Sequence, residues 1–220
     1  VIDCEIIGKS YVGGVSGDGG NLYYGAVENT NVICDDINSA KVGGMFGKNK
    51  GNIQNSYIKN SSIITKGSEV GGIMGYYDAT WSGRTYSDLI QNVVIQGSSN
   101  VGGMIGYMVQ GTVHQSEINA SVNATSQNAG GIVGYLENGE MTAATRTTII
   151  YNNIIANSTI ISPTNAGGLI GDMEKELYTA EDKKFIYSNF VHAYLTCDDN
   201  NVSFGIAGFK NDNKKLEDVY

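Results

Sequence analysis

The feature that most constrains this chain is a six-residue phrase that it repeats. Val42-Gly43-Gly44-Met45-Phe46-Gly47 has counterparts at Val12 to Gly17, Val70 to Gly75, Val101 to Gly106, Ala129 to Gly134 and Ala166 to Gly171. A worn copy, Ser203-Phe204-Gly205-Ile206-Ala207-Gly208, closes the series. Each copy is a small or β-branched residue, two glycines, two mostly apolar residues and a third glycine. The pairs are Gly13-Gly14, Gly43-Gly44, Gly71-Gly72, Gly102-Gly103, Gly130-Gly131 and Gly167-Gly168. Recurrence at a step of a few tens of residues marks a stacked repeat, whose units bury their apolar sides only against one another. One continuous domain over residues 1–220 is expected.

A second phrase precedes each copy: apolar, any residue, Asn-like, two residues, apolar. It reads Val1-Asp3-Ile6, Val27-Asn29-Val32, Ile53-Asn55-Ile58, Ile90-Asn92-Ile95, Val113-Gln115-Ile118, Ile150-Asn152-Ile155 and Ile186-Ser188-Val191. Short strands whose side chains alternate inward and outward, separated by Asn-rich corners, describe one coil of a β-solenoid. The composition agrees, with 30 glycines, one proline and 41% hydrophobic residues. The fold class expected is therefore all-β: a right-handed parallel β-solenoid (β-helix) of about seven coils, with longer loops on one edge.

In that arrangement like residues form columns. The first apolar position (Val1 to Ile186), the second (Ile6 to Val191) and the residue after Gly-Gly (Val15, Met45, Ile73, Met104, Ile132, Leu169, Ile206) are expected to point inward. The glycines are expected where the chain bends tightly or backbones approach closely, not around a phosphate, since no Lys-Ser/Thr follows them. Connections after the glycine phrase are short over 48–52 and 107–112 and long over 76–89, 135–149 and 172–185. The long ones should gather on one edge, where repeat proteins place binding faces. Residues 174–177 and 181–184 are expected to form a short helix there.

Tyr76, Tyr107 and Tyr135 each follow the last glycine of consecutive copies and should stack as a ladder beside that edge, with Tyr77, Trp81 and Tyr86 nearby. These six are the candidate binding residues, because aromatic surfaces suit sugars or apolar side chains. Catalytic, metal and cofactor sites are not expected. His114 and His192 are unaccompanied and read as outward-facing, and the acidic doublets Asp35-Asp36 and Asp198-Asp199 lie coils apart. A net charge of −8 without a basic stripe speaks against nucleic acid. No apolar run is long enough for a membrane helix. Cys4, Cys34 and Cys197 are expected to be free thiols. The chain begins and ends inside repeats, as an excerpt of a longer protein would.

The glycine phrase, with Lys48-Asn49-Lys50-Gly51-Asn52-Ile53-Gln54-Asn55-Ser56-Tyr57 after it, resembles the GLUG-motif repeat. So does the stretch Ile150-Tyr151-Asn152-Asn153-Ile154-Ile155-Ala156-Asn157. That repeat occurs in the N-terminal, non-catalytic part of bacterial IgA1-specific zinc metallopeptidases and in related surface adhesins. The resemblance covers nearly the whole chain. It implies an extracellular, secreted or cell-surface module that binds a host protein or glycan or spaces a catalytic domain. It carries over no catalytic residue, because His-Glu-x-x-His is absent. An adhesin stalk and a glycan-degrading β-helix are the alternatives.

Overall fold

A β-chain can wind into a coil only if it turns sharply at fixed points. Before the first strand of each coil, Tyr24, Asn55, Ser87, Gln115, Asn152 and Ser188 have φ between +51° and +58°. At the next corner Asp3, Asn29, Asn60, Asn92 and Asn157 have φ between +48° and +54°. After glycine, Asn and Asp enter this left-handed region at least cost, because their side chains bond the local backbone. Stacking then adds bonds between corners. Asn29 Nδ2 donates to Asp3 Oδ1 at 3.0 Å, and Asn92 Nδ2 to Asn60 Oδ1 at 3.3 Å.

The computed structural model describes residues 1–37, 40–79, 83–137, 147–173, 183–197 and 203–204. The third coil shows the plan, with five strands in order: Tyr57–Lys59, Ser62–Thr65, Val70–Gly71, Met74–Asp78 and Arg84–Tyr86. In the fourth coil they fuse into two, Leu89–Gly102 and Ile105–His114. Each strand pairs in parallel with its counterpart one coil away, so Ile58 lies over Val27 and under Ile90. The first three strand positions form one sheet and the last two form the other. The fold is thus an all-β parallel solenoid. About five turns have a neighbour on both sides, slightly fewer than the seven expected. No helix occurs among the described residues.

Three expectations need correction. The Asn phrase is written at two corners of the coil, not one. Ile53 and Val113 flank Thr85 in the fifth-strand column, whereas Val27 and Ile90 flank Ile58 in the first-strand column. One expected apolar column is therefore two, because both corners use the same five-residue step. Lys183 and Lys184, expected in a helix, open the strand Lys183–Tyr187, which pairs with Thr147–Tyr151; residues 174–177 and 181–182 lie outside the described set. The connections are also shorter than expected. Tyr107 to Thr112 is continuous strand, and Tyr76–Asp78 and Arg84–Tyr86 are strands within 76–89. The long connections, those of the third, fifth and sixth coils, all leave from one point, between the fourth and fifth strands.

The core runs along the axis. Met45, Ile73, Met104, Ile132 and Leu169 are buried beside Val27, Ile58, Ile90, Ile118 and Ile155. Val15, the equivalent residue of the first described coil, is 41% exposed. Ile206 lies outside the described residues. Cys34 is buried, Cys4 exposed and Cys197 intermediate, all as free thiols.

The glycines hold the key contact. A Cβ on Gly14, Gly44, Gly72, Gly103 or Gly131 would lie 2.0–2.4 Å from the carbonyl oxygen of the equivalent glycine one coil on. A Cβ on the first glycine of a pair comes nearest to a carbonyl on its own coil, with the next coil also close: on Gly102 it would meet Ile105 O at 1.9 Å and Ile132 O at 2.7 Å. None of these glycines has a positive φ. Their role is close backbone approach. Replacing Gly103 by Ala forces its Cβ against the Gly131 carbonyl at 2.0 Å and should cost about 3 kcal/mol or more, since backbone must move. Gly20→Ala, with nothing within 4 Å, should stay within about 0.5 kcal/mol of the parent. Urea unfolding of both variants checks the contrast.

Candidate interaction surface

Parallel stacking at about 4.8 Å places like side chains at ring-contact distance. Tyr76, Tyr107 and Tyr135 occupy one outward column. Their centroids are 5.4 Å and 5.0 Å apart, with interplanar angles of 13° and 29°. The expected ladder therefore forms. Below it the column continues with Lys48, in register with Tyr76, and above it with Asp172. Lys41 Nζ lies 4.2 Å from the Tyr76 centroid and also pairs with Glu69. Lys48 Nζ lies 5.8 Å from the same ring.

The other candidates separate from this ladder. Tyr77 is fully buried, so it is no surface residue. Neighbours on a strand point to opposite faces, and an outward Tyr76 sends Tyr77 inward. Tyr86 lies on the fifth strand, in a different column. Trp81 lies outside the described residues.

Tyr86 belongs to a second ladder that the sequence did not disclose: Tyr86, His114, Tyr151 and Tyr187. Successive centroids are 4.8, 4.8 and 5.1 Å apart, with planes within 4°, 7° and 17° of parallel. Gln54 and then Tyr23 extend the column downward. His114 points outward as expected but is not solvated. It is 7% exposed, held between two tyrosine faces. The signal was present as aromatic residues two places before Asp88, Ser116, Asn153 and Asn189, the residues that follow the left-handed corner.

In both ladders the rings spend their faces on one another, so sugar cannot stack on them as on an open platform. What reaches outward is a row of ring edges, with a phenol hydroxyl wherever the rung is tyrosine. Each stacked pair contributes about 0.5–1.5 kcal/mol beyond its buried area.

Burial sets the electrostatics nearby. Desolvation pushes the His114 imidazole below its usual range, and the Arg84 charge adds to this against a raising bond from Gln115. Nδ1 lies 3.1 Å from Gln115 Oε1, while the buried Nε2 has no partner. Beneath this ladder runs a column of corner side chains that accept backbone N–H groups of the preceding coil. Ser56 Oγ accepts from Gly25, Asp88 Oδ1 from Ser56, Ser116 Oγ from Asp88, and Asn153 Oδ1 from Ser116. Asp88 is its ionisable rung. Desolvation raises its pKa from 3.8 to about 7, against lowering hydrogen bonds from Ser56, Thr85 and Tyr86. His192 is exposed. No group of three or more His, Cys, Asp and Glu side chains gathers among the described residues.

Two outcomes follow from these groups. The folded Asp88 holds its proton more tightly than the unfolded chain, so its stabilising effect is complete below pH 3.8 and lost as pH rises through about 7. Asp88→Asn keeps the acceptor and should remove this loss, gaining up to about 4 kcal/mol at pH 8 and little at pH 4. Denaturation of both proteins across that range measures it. His114→Phe should preserve the stack and match or exceed parental stability, whereas His114→Ala should cost about 1–3 kcal/mol. Melting curves distinguish them.

Comparison with family models, with curated proteins and with solved structures found no match for this chain.

Proposed function

We propose that this chain is a non-catalytic repeat module of a secreted or cell-surface bacterial protein, presenting its laddered side to a host protein or glycan. The single observation that carries the reading is the pair of aromatic ladders running along the axis, next to the point where the long connections leave the coil. Tyrosine adds a phenol hydroxyl to a rung, at Tyr76, Tyr107 and Tyr135 in the first ladder and at Tyr86, Tyr151 and Tyr187 in the second. A row of hydroxyls at a fixed step suits an extended partner lying along the solenoid, held by hydrogen bonds to ring edges. The glycine phrase supports placing the module among GLUG-type repeats, beside a metallopeptidase domain or in an adhesin.

A second reading is a spacer that holds another domain at a distance. It draws on the closure of the first ladder, whose lowest face is covered by Lys41 and Lys48. The glycan-degrading alternative needs acidic groups converging on one face, and the described residues offer no such group.

A glycan array and a serum pull-down, run with the parent and with Tyr86→Phe and Tyr151→Phe, test the proposal. Both changes keep the stack and remove one hydroxyl. Loss of a specific partner by about tenfold at unchanged melting temperature is expected, equal to about 1.4 kcal/mol. Binding indifferent to both changes, or no specific partner at all, favours the spacer.

A further inference from the structure

The third coil carries buried polar groups in three columns. The inward position of the fourth strand is Asn49 in the second coil, Tyr77 in the third, and Met108 and Leu136 in the next two. The inward position of the fifth strand is Ile53, Val113 and Ile150 around it, but Thr85 in the third. The corner column is polar throughout, with Ser56, Ser116 and Asn153 around Asp88, and Asp88 is its one ionisable member. Tyr77, Thr85 and Asp88 are all buried.

Two of these groups bond to each other. Thr85 Oγ1 donates to Asp88 Oδ2 at 2.9 Å, and Ser56 N–H donates to Oδ1 at 2.8 Å. Asp88 also acts electrostatically on the Tyr77 hydroxyl, which desolvation already holds above its usual range. Yet Tyr77 Oη, fully buried, has no hydrogen-bond partner in the protein. Two glycines shape the space around it. A Cβ on Gly83 would sit 3.0 Å from Tyr77 Oη, and one on Gly111, at φ +132°, would sit 2.7 Å from Tyr77 Cε1. A buried hydroxyl without a partner is expensive, while a carboxylate has a lone pair beyond the three that Ser56, Thr85 and Tyr86 use.

We propose that the third coil encloses an internal hydration site, in which one ordered water accepts from Tyr77 Oη and donates to the Asp88 carboxyl. Buried waters of this kind make two to four bonds and belong to the structure. The next coil fills the same two columns with Met108 and Val113, which carry no group for a water to bind.

The test is a crystal structure at a resolution that places waters, together with the melting temperature of Tyr77→Phe. One density peak within hydrogen-bond distance of both Tyr77 Oη and the Asp88 carboxyl is expected. Tyr77→Phe should melt about 2–4 °C lower, because the water loses a partner. No density at that point would overturn the proposal, as would a peak with the oxygen-rich coordination of a metal cation. A Tyr77→Phe melting temperature equal to or above the parent's would overturn it as well, since removing an unbridged hydroxyl relieves a penalty. If that variant does not fold, the density in the parent decides alone.

Discussion

Everything in this fold depends on backbone lying against backbone along the axis at the Gly-Gly step. There the amides of Met45, Ile73, Met104 and Ile132 donate to Ile73, Met104, Ile132 and Leu169 carbonyls at 2.8–3.0 Å. A side chain of any size on the second glycine would enter the carbonyl of the coil beyond. This one contact fixes the rise of the stack. Once the rise is fixed, parallel pairing places like residues over like, and columns follow: aliphatic inside, left-handed residues at the corners, polar acceptors beside them and rings outside. The aromatic ladders are a consequence of the glycine spacing as much as of the tyrosines.

The columns differ in how much variation they tolerate. The aliphatic positions exchange Val, Ile, Met and Leu freely, since each needs only to fill volume. The corner column changes between Ser, Asp and Asn because each offers an oxygen to the N–H of the preceding coil. Where the first-to-second corner loses its left-handed residue, the chain adjusts by one residue and the register shifts, as opposite Asn92 and Asn157. Such a bulge is absorbed in one coil, because the next glycine phrase resets the stack.

The sequence made the architecture legible because the glycine phrase occurs once per coil and so counts coils directly. The Asn phrase occurs at two corners and could not be assigned to a column by spacing; only pairing separates Ile53 from Ile58. The Tyr76, Tyr107 and Tyr135 ladder was readable from its fixed place after the last glycine. Tyr77 was misplaced because proximity to Tyr76 outweighed the alternation of a strand. The ladder through His114 was hidden because a histidine stands in an otherwise tyrosine column, and outward direction was equated with solvent. Asp88 looked like one more polar corner residue. Its burial comes from the packing of stacked coils, which no local pattern reports.

Native-state hydrogen exchange at the stacking amides tests the central claim most directly. If the glycine step holds the solenoid, the amides of Met45, Ile73, Met104 and Ile132 should all be strongly protected. They should open together, with free energies near that of global unfolding. Exchange of any of these four at the rate of an exposed loop amide would contradict the account, because the coil above could not then be resting on the coil below.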